Sequence, residues 1–83
     1  MSMAANAEML AQFGQRVGAM GAECGSYANR VTQGFPHACD TTKAKQIYGQ
    51  AQQLSTLLKQ CAELANQIHT SSVNEASRIL GGA

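Results

Sequence analysis

Tryptophan is missing from this 83-residue sequence, proline occurs once, and aromatic rings make up 5% of it, as Phe13, Tyr27, Phe35 and Tyr48. A core built from such a chain draws its apolar area from Leu, Ile, Met, Val and Ala, as helical bundles do. Hydrophobic residues still make up 45% of the sequence, enough to pack and too many for wholesale disorder. Charge is scarce as well: six basic residues against five acidic ones leave a formal net charge of +1. Without clustered Lys and Arg there is no electrostatic footprint for nucleic acid or an anionic membrane, and nucleic acid is not an expected partner. Three cysteines, Cys24, Cys39 and Cys61, are an odd number with no paired motif, which argues against a disulfide framework. No run of eighteen apolar residues is present, so no transmembrane segment is expected. No basic region followed by an apolar run opens the chain, so a Sec-type signal peptide is not expected either. The expected location is the cytoplasm, or outside the cell by a route that reads no cleavable signal. At this length the chain is one small domain with no room for a second core.

What is present is periodicity. Read in steps of three and four, the N-terminal third gives Ala4, Ala7, Ala11, Gly14, Gly18, Gly21, Gly25 and Ala28, all Ala or Gly. One step round a helix, the same spacing gives Met3, Leu10, Phe13, Val17, Met20, Cys24, Tyr27 and Val31, interrupted only by Asn6. A helix over this stretch carries a bulky apolar face with a smooth stripe beside it. The remaining positions, among them Glu8, Gln12, Gln15, Arg16, Glu23 and Arg30, form a solvated face. Interior glycine costs a helix about 1 kcal/mol relative to alanine, so the stripe needs a compensating close contact.

Helix one is expected over about 3–32. Gln33 to Thr41 reads as the connection: Gly34 suits a helix C-terminus, the lone proline, Pro36, follows, and Asp40, Thr41 and Thr42 are good N-caps. Helix two is expected over about 42–70, with Ile47, Leu54, Leu57, Cys61, Leu64 and Ile68 as its seam and Ala44, Ala51, Leu58 and Ala65 beside it. Gln46, Gln53, Gln60 and Gln67 file along the other edge. Thr70-Ser71-Ser72 weakens the pattern. Ser72-Val73-Asn74-Glu75 matches a capping box, so 72–83 reads as a short third helix or a tail.

Two helices of similar length around a short connection imply an all-α, antiparallel two-helix hairpin. Folding it about Phe35 to Ala38 places Tyr27 near Ile47, Met20 near Leu54, Phe13 near Cys61 and Leu10 near Leu64, and leaves Cys24 far from Cys61. A hairpin has one seam. The expected assignment gives that seam to the bulky residues Leu10, Phe13, Val17, Met20, Tyr27, Ile47, Leu54, Leu57, Leu64 and Ile68. The surplus Ala/Gly stripe (Ala7, Ala11, Gly14, Gly18, Gly21, Gly25 and Ala28) is then the partner interface. The partner is another helical protein or a second copy, completing a four-helix bundle. The competing reading is that the glycines let helix two dock closely.

Chemistry is hard to find. His37-Ala38-Cys39-Asp40 holds three ligand types in one loop, but zinc sites use four ligands with wider, paired spacing, so no metal is expected. Cys39 as a nucleophile has only His37 near it in sequence, and no oxyanion site. The glycines match no phosphate loop: there is no G-x-G-x-x-G and no Gly-Lys-Ser/Thr. Cys24 and Cys61 fall in the seams as small hydrophobes. No catalytic residue and no cofactor is expected, and the chain does not read as an enzyme.

In layout the chain resembles the small helical-hairpin proteins of type VII secretion. These are the WXG-motif family and its relatives, including the helical partners encoded beside LXG toxins. The likeness lies in the Met-Ser start, two similar amphipathic helices, the mid-chain connection, low charge and the lack of a signal peptide. Gly34-Phe35-Pro36 stands where that family has Trp-x-Gly, and its Tyr-x-x-x-Asp/Glu tail motif is not present. The resemblance implies a non-enzymatic partner or targeting factor that packs against a toxin's N-terminal helical domain. The alternatives are a self-assembling filament subunit like a type III secretion needle protein, whose Pro-x-x-Pro turn this chain lacks, or a cytoplasmic adaptor or chaperone subunit.

Overall fold

The computed structural model describes residues 2–81, and they form a hairpin of two long helices, α1 (Met3–Arg30) and α2 (Thr42–Gly81). Each helix starts on a side-chain cap. Ser2 Oγ accepts a hydrogen bond from the Ala5 amide at 3.1 Å, and Thr41 Oγ1 accepts one from the Ala44 amide at 3.1 Å. Both satisfy amide groups that a helix N-terminus leaves unpaired.

α1 gives way to a run of turns at Val31–Gly34. Gly34 has φ +78°, a left-handed conformation that glycine adopts without steric cost, and it redirects the chain as the sequence suggests. The Cys39 amide then bonds the Pro36 carbonyl at 2.9 Å. Phe35, His37 and Tyr48 close a three-ring cluster with centroids 4.8–5.0 Å apart, which fastens the connection to α2.

α2 is continuous through Thr70–Ser72. A helix ending near 70 and restarting at 72 is therefore not what forms: Ser72 is buried against α1, and the contacts made there hold the helix straight through its weak local sequence. Gly82 and Ala83, the end of the expected third element, lie outside the described residues.

The register also differs from the simple fold-back. Ser55 Oγ donates to the Ala28 carbonyl at 2.7 Å, and the His69 ring meets the Gly14 carbonyl at 3.0 Å. Tyr27 therefore sits at the level of residues just past Ser55, and Ile47 lies beyond the end of α1. The first three turns of α2 run beside the connection, which is extended along them by the aromatic cluster. With α2 of 40 residues spanning about 60 Å at 1.5 Å per residue, the hairpin is a rod of 62 × 16 × 15 Å.

Candidate interaction surface

The assignment of the two faces of α1 is the reverse of the expected one. Ala7, Gly14, Gly21 and Ala28 are buried against α2, and Ala11, Gly18 and Gly25 are half-buried beside them. The stripe is the hairpin seam. A Cβ added at Gly21 would come within 2.6 Å of Ala65 Cβ, and one at Gly14 within 2.7 Å of Ser72 Cβ, so alanine does not fit at either position without a shift. α2 answers with small residues of its own: Ser72 and Ala76 are buried, and Ser55, Ala62 and Ala65 are half-buried; Ala44 and Ala51 continue the same file past the end of α1, beside the connection. Small residues on both sides allow the backbones to approach closely, which compensates for glycine in a helix; bulky residues in the seam would hold the axes apart.

The residues expected in the seam lie outside it. Phe13, Met20, Tyr27, Ile47, Leu54, Leu57 and Leu64 are exposed, and Leu10, Val17 and Ile68 are half-buried. Phe13 keeps 45% of its surface and Leu64 58%, values that no core position would show. The buried hydrophobic residues of the hairpin are four alanines, Ala7, Ala28, Ala44 and Ala76, and among the described residues no large side chain is fully buried.

The bulky residues form one continuous surface. Counted from the seam positions Ala7, Gly14 and Gly21, the residues three and six further on are Leu10, Val17 and Cys24, and Phe13, Met20 and Tyr27. Counted from Ala44, Ala51 and Leu58, the same steps reach Ile47, Leu54 and Cys61, and then Gln50, Leu57 and Leu64, of which only Gln50 is polar. In two right-handed helices that run antiparallel, flanks at the same offset from the shared seam fall on the same side. The two bulky files thus lie side by side. The residues one step past the seam, Glu8, Gln15 and Asn29 with Lys45, Gln52, Lys59 and Asn66, make the opposite side polar and exposed. Phe13, Val17 and Met20, with Arg16 and Ala19 at its edge, line a shallow depression beside the apolar files.

The apolar face has a charged end. Glu75 and Arg78 occupy the same two offsets on the last turns of α2 and pair with each other, Arg78 Nη2 donating to Glu75 Oε2 at 3.1 Å and Nε to Oε1. The hydrogen bonds from Arg78 hold the Glu75 carboxyl below its ordinary value and push the Arg78 guanidinium up. Between Met3 and Tyr27 on α1, and between Ile47 and Ile68 on α2, neither file contains a charged residue.

Ser55, Ala62, His69 and Ala76 escaped the pattern reading of the seam, and Ser72 lies in the seam rather than at a cap. Their signal is present in the sequence: Ser55, Ala62, His69 and Ala76 recur every seven residues on one edge of the small-residue file. His37 packs its ring on Phe35 and Tyr48, and Cys39 is exposed and free, as is Cys61. The register brings Cys24 level with Cys61, in place of the wide separation expected from the simple fold-back. Among the described residues no helix is long and apolar enough to cross a membrane. Compared with known proteins, the chain matches no family model, no curated protein and no solved structure.

Proposed function

We propose that this chain is a non-enzymatic helical interaction protein, whose apolar face is covered by another pair of helices to complete a four-helix bundle. The observation that carries the reading is the exposure of Phe13, Met20, Tyr27, Leu57 and Leu64 on one side of a hairpin that is polar on the other. Isolated exposed apolar residues are ordinary on a protein surface, but a contiguous file of them across two helices marks a contact site. The offsets fit a bundle. Each helix uses its small positions for the partner within the hairpin and keeps its large positions for helices outside it, the division that gives each helix of a four-helix bundle two neighbours. The two files carry no charge from Met3 to Tyr27 and from Ile47 to Ile68, which favours an equally apolar helical surface over an anionic ligand.

The hairpin layout supports placing this activity in type VII secretion, with the chain as a small partner or targeting factor for a larger protein's helical domain. The test is coexpression with helical domains drawn from the neighbouring genes, followed by copurification. Met20→Glu or Leu64→Glu should abolish the complex, and Gln15→Glu on the polar side should leave it intact. A complex that survives both face substitutions would sink the reading. Concentration-dependent polymers in the electron microscope would replace it with the filament-subunit alternative.

A further inference from the structure

We propose that, in the absence of another protein, the occupant of the apolar face is a second copy of this chain. The copies lie face to face about a two-fold axis parallel to the hairpin, so that α1 of each lies on α2 of the other. The proposal rests on the reading of the face as a docking surface and names what docks there.

Area is the first argument. The face is about as wide as the rod, 16 Å, and α1 runs for 28 residues, or roughly 42 Å at 1.5 Å per residue. Its outline is therefore roughly 700 Å², close to the 800 Å² or so that each partner contributes to a stable protein interface. One copy supplies a surface of matching length and width.

Charge is the second argument. A surface that meets its own copy brings like groups together, so charged files would repel. Here both files are uncharged from Met3 to Tyr27 and from Ile47 to Ile68. The neutral face also carries no charge pattern that would demand a different partner.

The charged end selects between the two-fold axes. An axis across the hairpin would lay the Glu75–Arg78 end of one copy over the apolar Ile47–Leu54 end of the other, burying an ion pair against hydrocarbon. An axis along the hairpin keeps that ion pair at the end of the apolar face, with Arg78 at the level of Asn6 and Glu75 at the level of Leu10 of the other copy. It also sets apolar levels on apolar levels. Met20 lies at the level of Leu64, and Tyr27 at the level of Leu57, so α1 of one copy meets residues of matching bulk on α2 of the other. Cys24 of each copy then lies over Cys61 of the other.

The experiment uses the purified full chain, with light scattering after size exclusion well above micromolar concentration. The expected mass is twice 8.7 kDa, reverting to the single-chain mass in Met20→Glu with Leu64→Glu. Because those substitutions could also unfold the chain, a second measurement keeps every residue of the two apolar files except the cysteines. A chain with Cys39→Ser and Cys61→Ser, carrying Cys24 alone, is mixed with a chain with Cys24→Ser and Cys39→Ser, carrying Cys61 alone, and treated with a short bismaleimide. A covalent heterodimer of the two chains is expected. Cross-links only between like chains would overturn the proposed axis. A single-chain mass at every concentration would overturn the second copy as occupant. In that case the docking reading itself still stands if the monomer binds a helical partner and loses it with Met20→Glu, and falls if it does not.

Discussion

The imidazole of His69 lies with Nδ1 3.0 Å from the main-chain carbonyl oxygen of Gly14, and the same ring covers Gly18, where an added Cβ would meet it at 3.2 Å. The carbonyl can only accept, so Nδ1 carries the proton and donates. Two turns of α1 are thus shaped around one side chain of α2. Two heptads away on both helices, Ser55 donates to the Ala28 carbonyl at 2.7 Å. These two donors fix the register that the small residues alone would leave free to slip. Ser55→Ala and His69→Ala should each lower stability by about 1 kcal/mol, the usual net worth of a hydrogen bond. At that separation, about 20 Å along the helix, the double substitution should be additive within roughly 0.5 kcal/mol. Denaturant titration followed by circular dichroism measures both. A neutral effect of both substitutions would show that packing alone holds the register.

The glycines of α1 divide into two groups. Gly25 has nothing within 4 Å of an added Cβ, and Gly21 has Ala65 Cβ at 2.6 Å. Gly25→Ala should therefore raise stability by up to about 1 kcal/mol, the gain in helix propensity. Gly21→Ala gains the same propensity but must push the helices apart, and overpacking of about 1–3 kcal/mol should outweigh it. Thermal unfolding monitored at 222 nm compares the pair. Equal stabilisation by both substitutions would mean that the helices are not in close contact at Gly21.

The contrast between the two glycines also explains how far the sequence could be read. The 3.6-residue period, the Ser2 and Thr41 caps and the Gly34 turn all act within a few residues, and each is visible along the chain. Which face of α1 meets α2 depends on a comparison that periodicity does not make. A bulky file and a smooth file have the same period. The choice is made by how closely two backbones can approach, and it turns on Ala62, Ala65, Ser72 and Ala76 of α2 matching Gly14, Gly21 and Ala7. The four interior glycines were the clue. They are costly in an exposed stripe, and only a seam as tight as the one at Gly21 recovers the cost. The register was illegible for a similar reason: it depends on the aromatic cluster that lays the connection along α2, between rings separated by up to thirteen positions in sequence.

At the C-terminal end of α2 the outcome depends on pH. Glu75 has its folded value depressed by the hydrogen bonds from Arg78, so its contribution is complete above the ordinary carboxyl value of 4.5 and is lost as pH falls through the lower folded value. The pair is exposed, so the effect is local. As pH falls through that lowered value the last turn, 78–81, should fray while the seam at Gly14–Ser72 stays closed. Amide chemical shifts followed from pH 6 to pH 2 separate these outcomes. Simultaneous loss of the whole helix would assign the acid sensitivity elsewhere. In Glu75→Gln, fraying of the last turn should no longer follow pH in this range.

The connection offers the last test. Phe35 touches both His37 and Tyr48, at centroid distances of 5.0 and 4.8 Å, so it is the hub of the ring cluster. Aromatic pairs contribute about 0.5–1.5 kcal/mol each beyond the area they bury. Phe35→Ala removes two of the three pairs and should release the connection from the first turns of α2. The seam is untouched, because its nearest donor, Ser55, lies two turns further along the helix. Hydrogen exchange should therefore quicken at residues 37–48 and stay slow at 58–72. Phe35→Leu keeps the bulk without the ring edge and should lie between. If exchange quickened equally along the whole of α2, the cluster would be part of what sets the register, and the two hydrogen-bonded seam residues would not suffice to hold it.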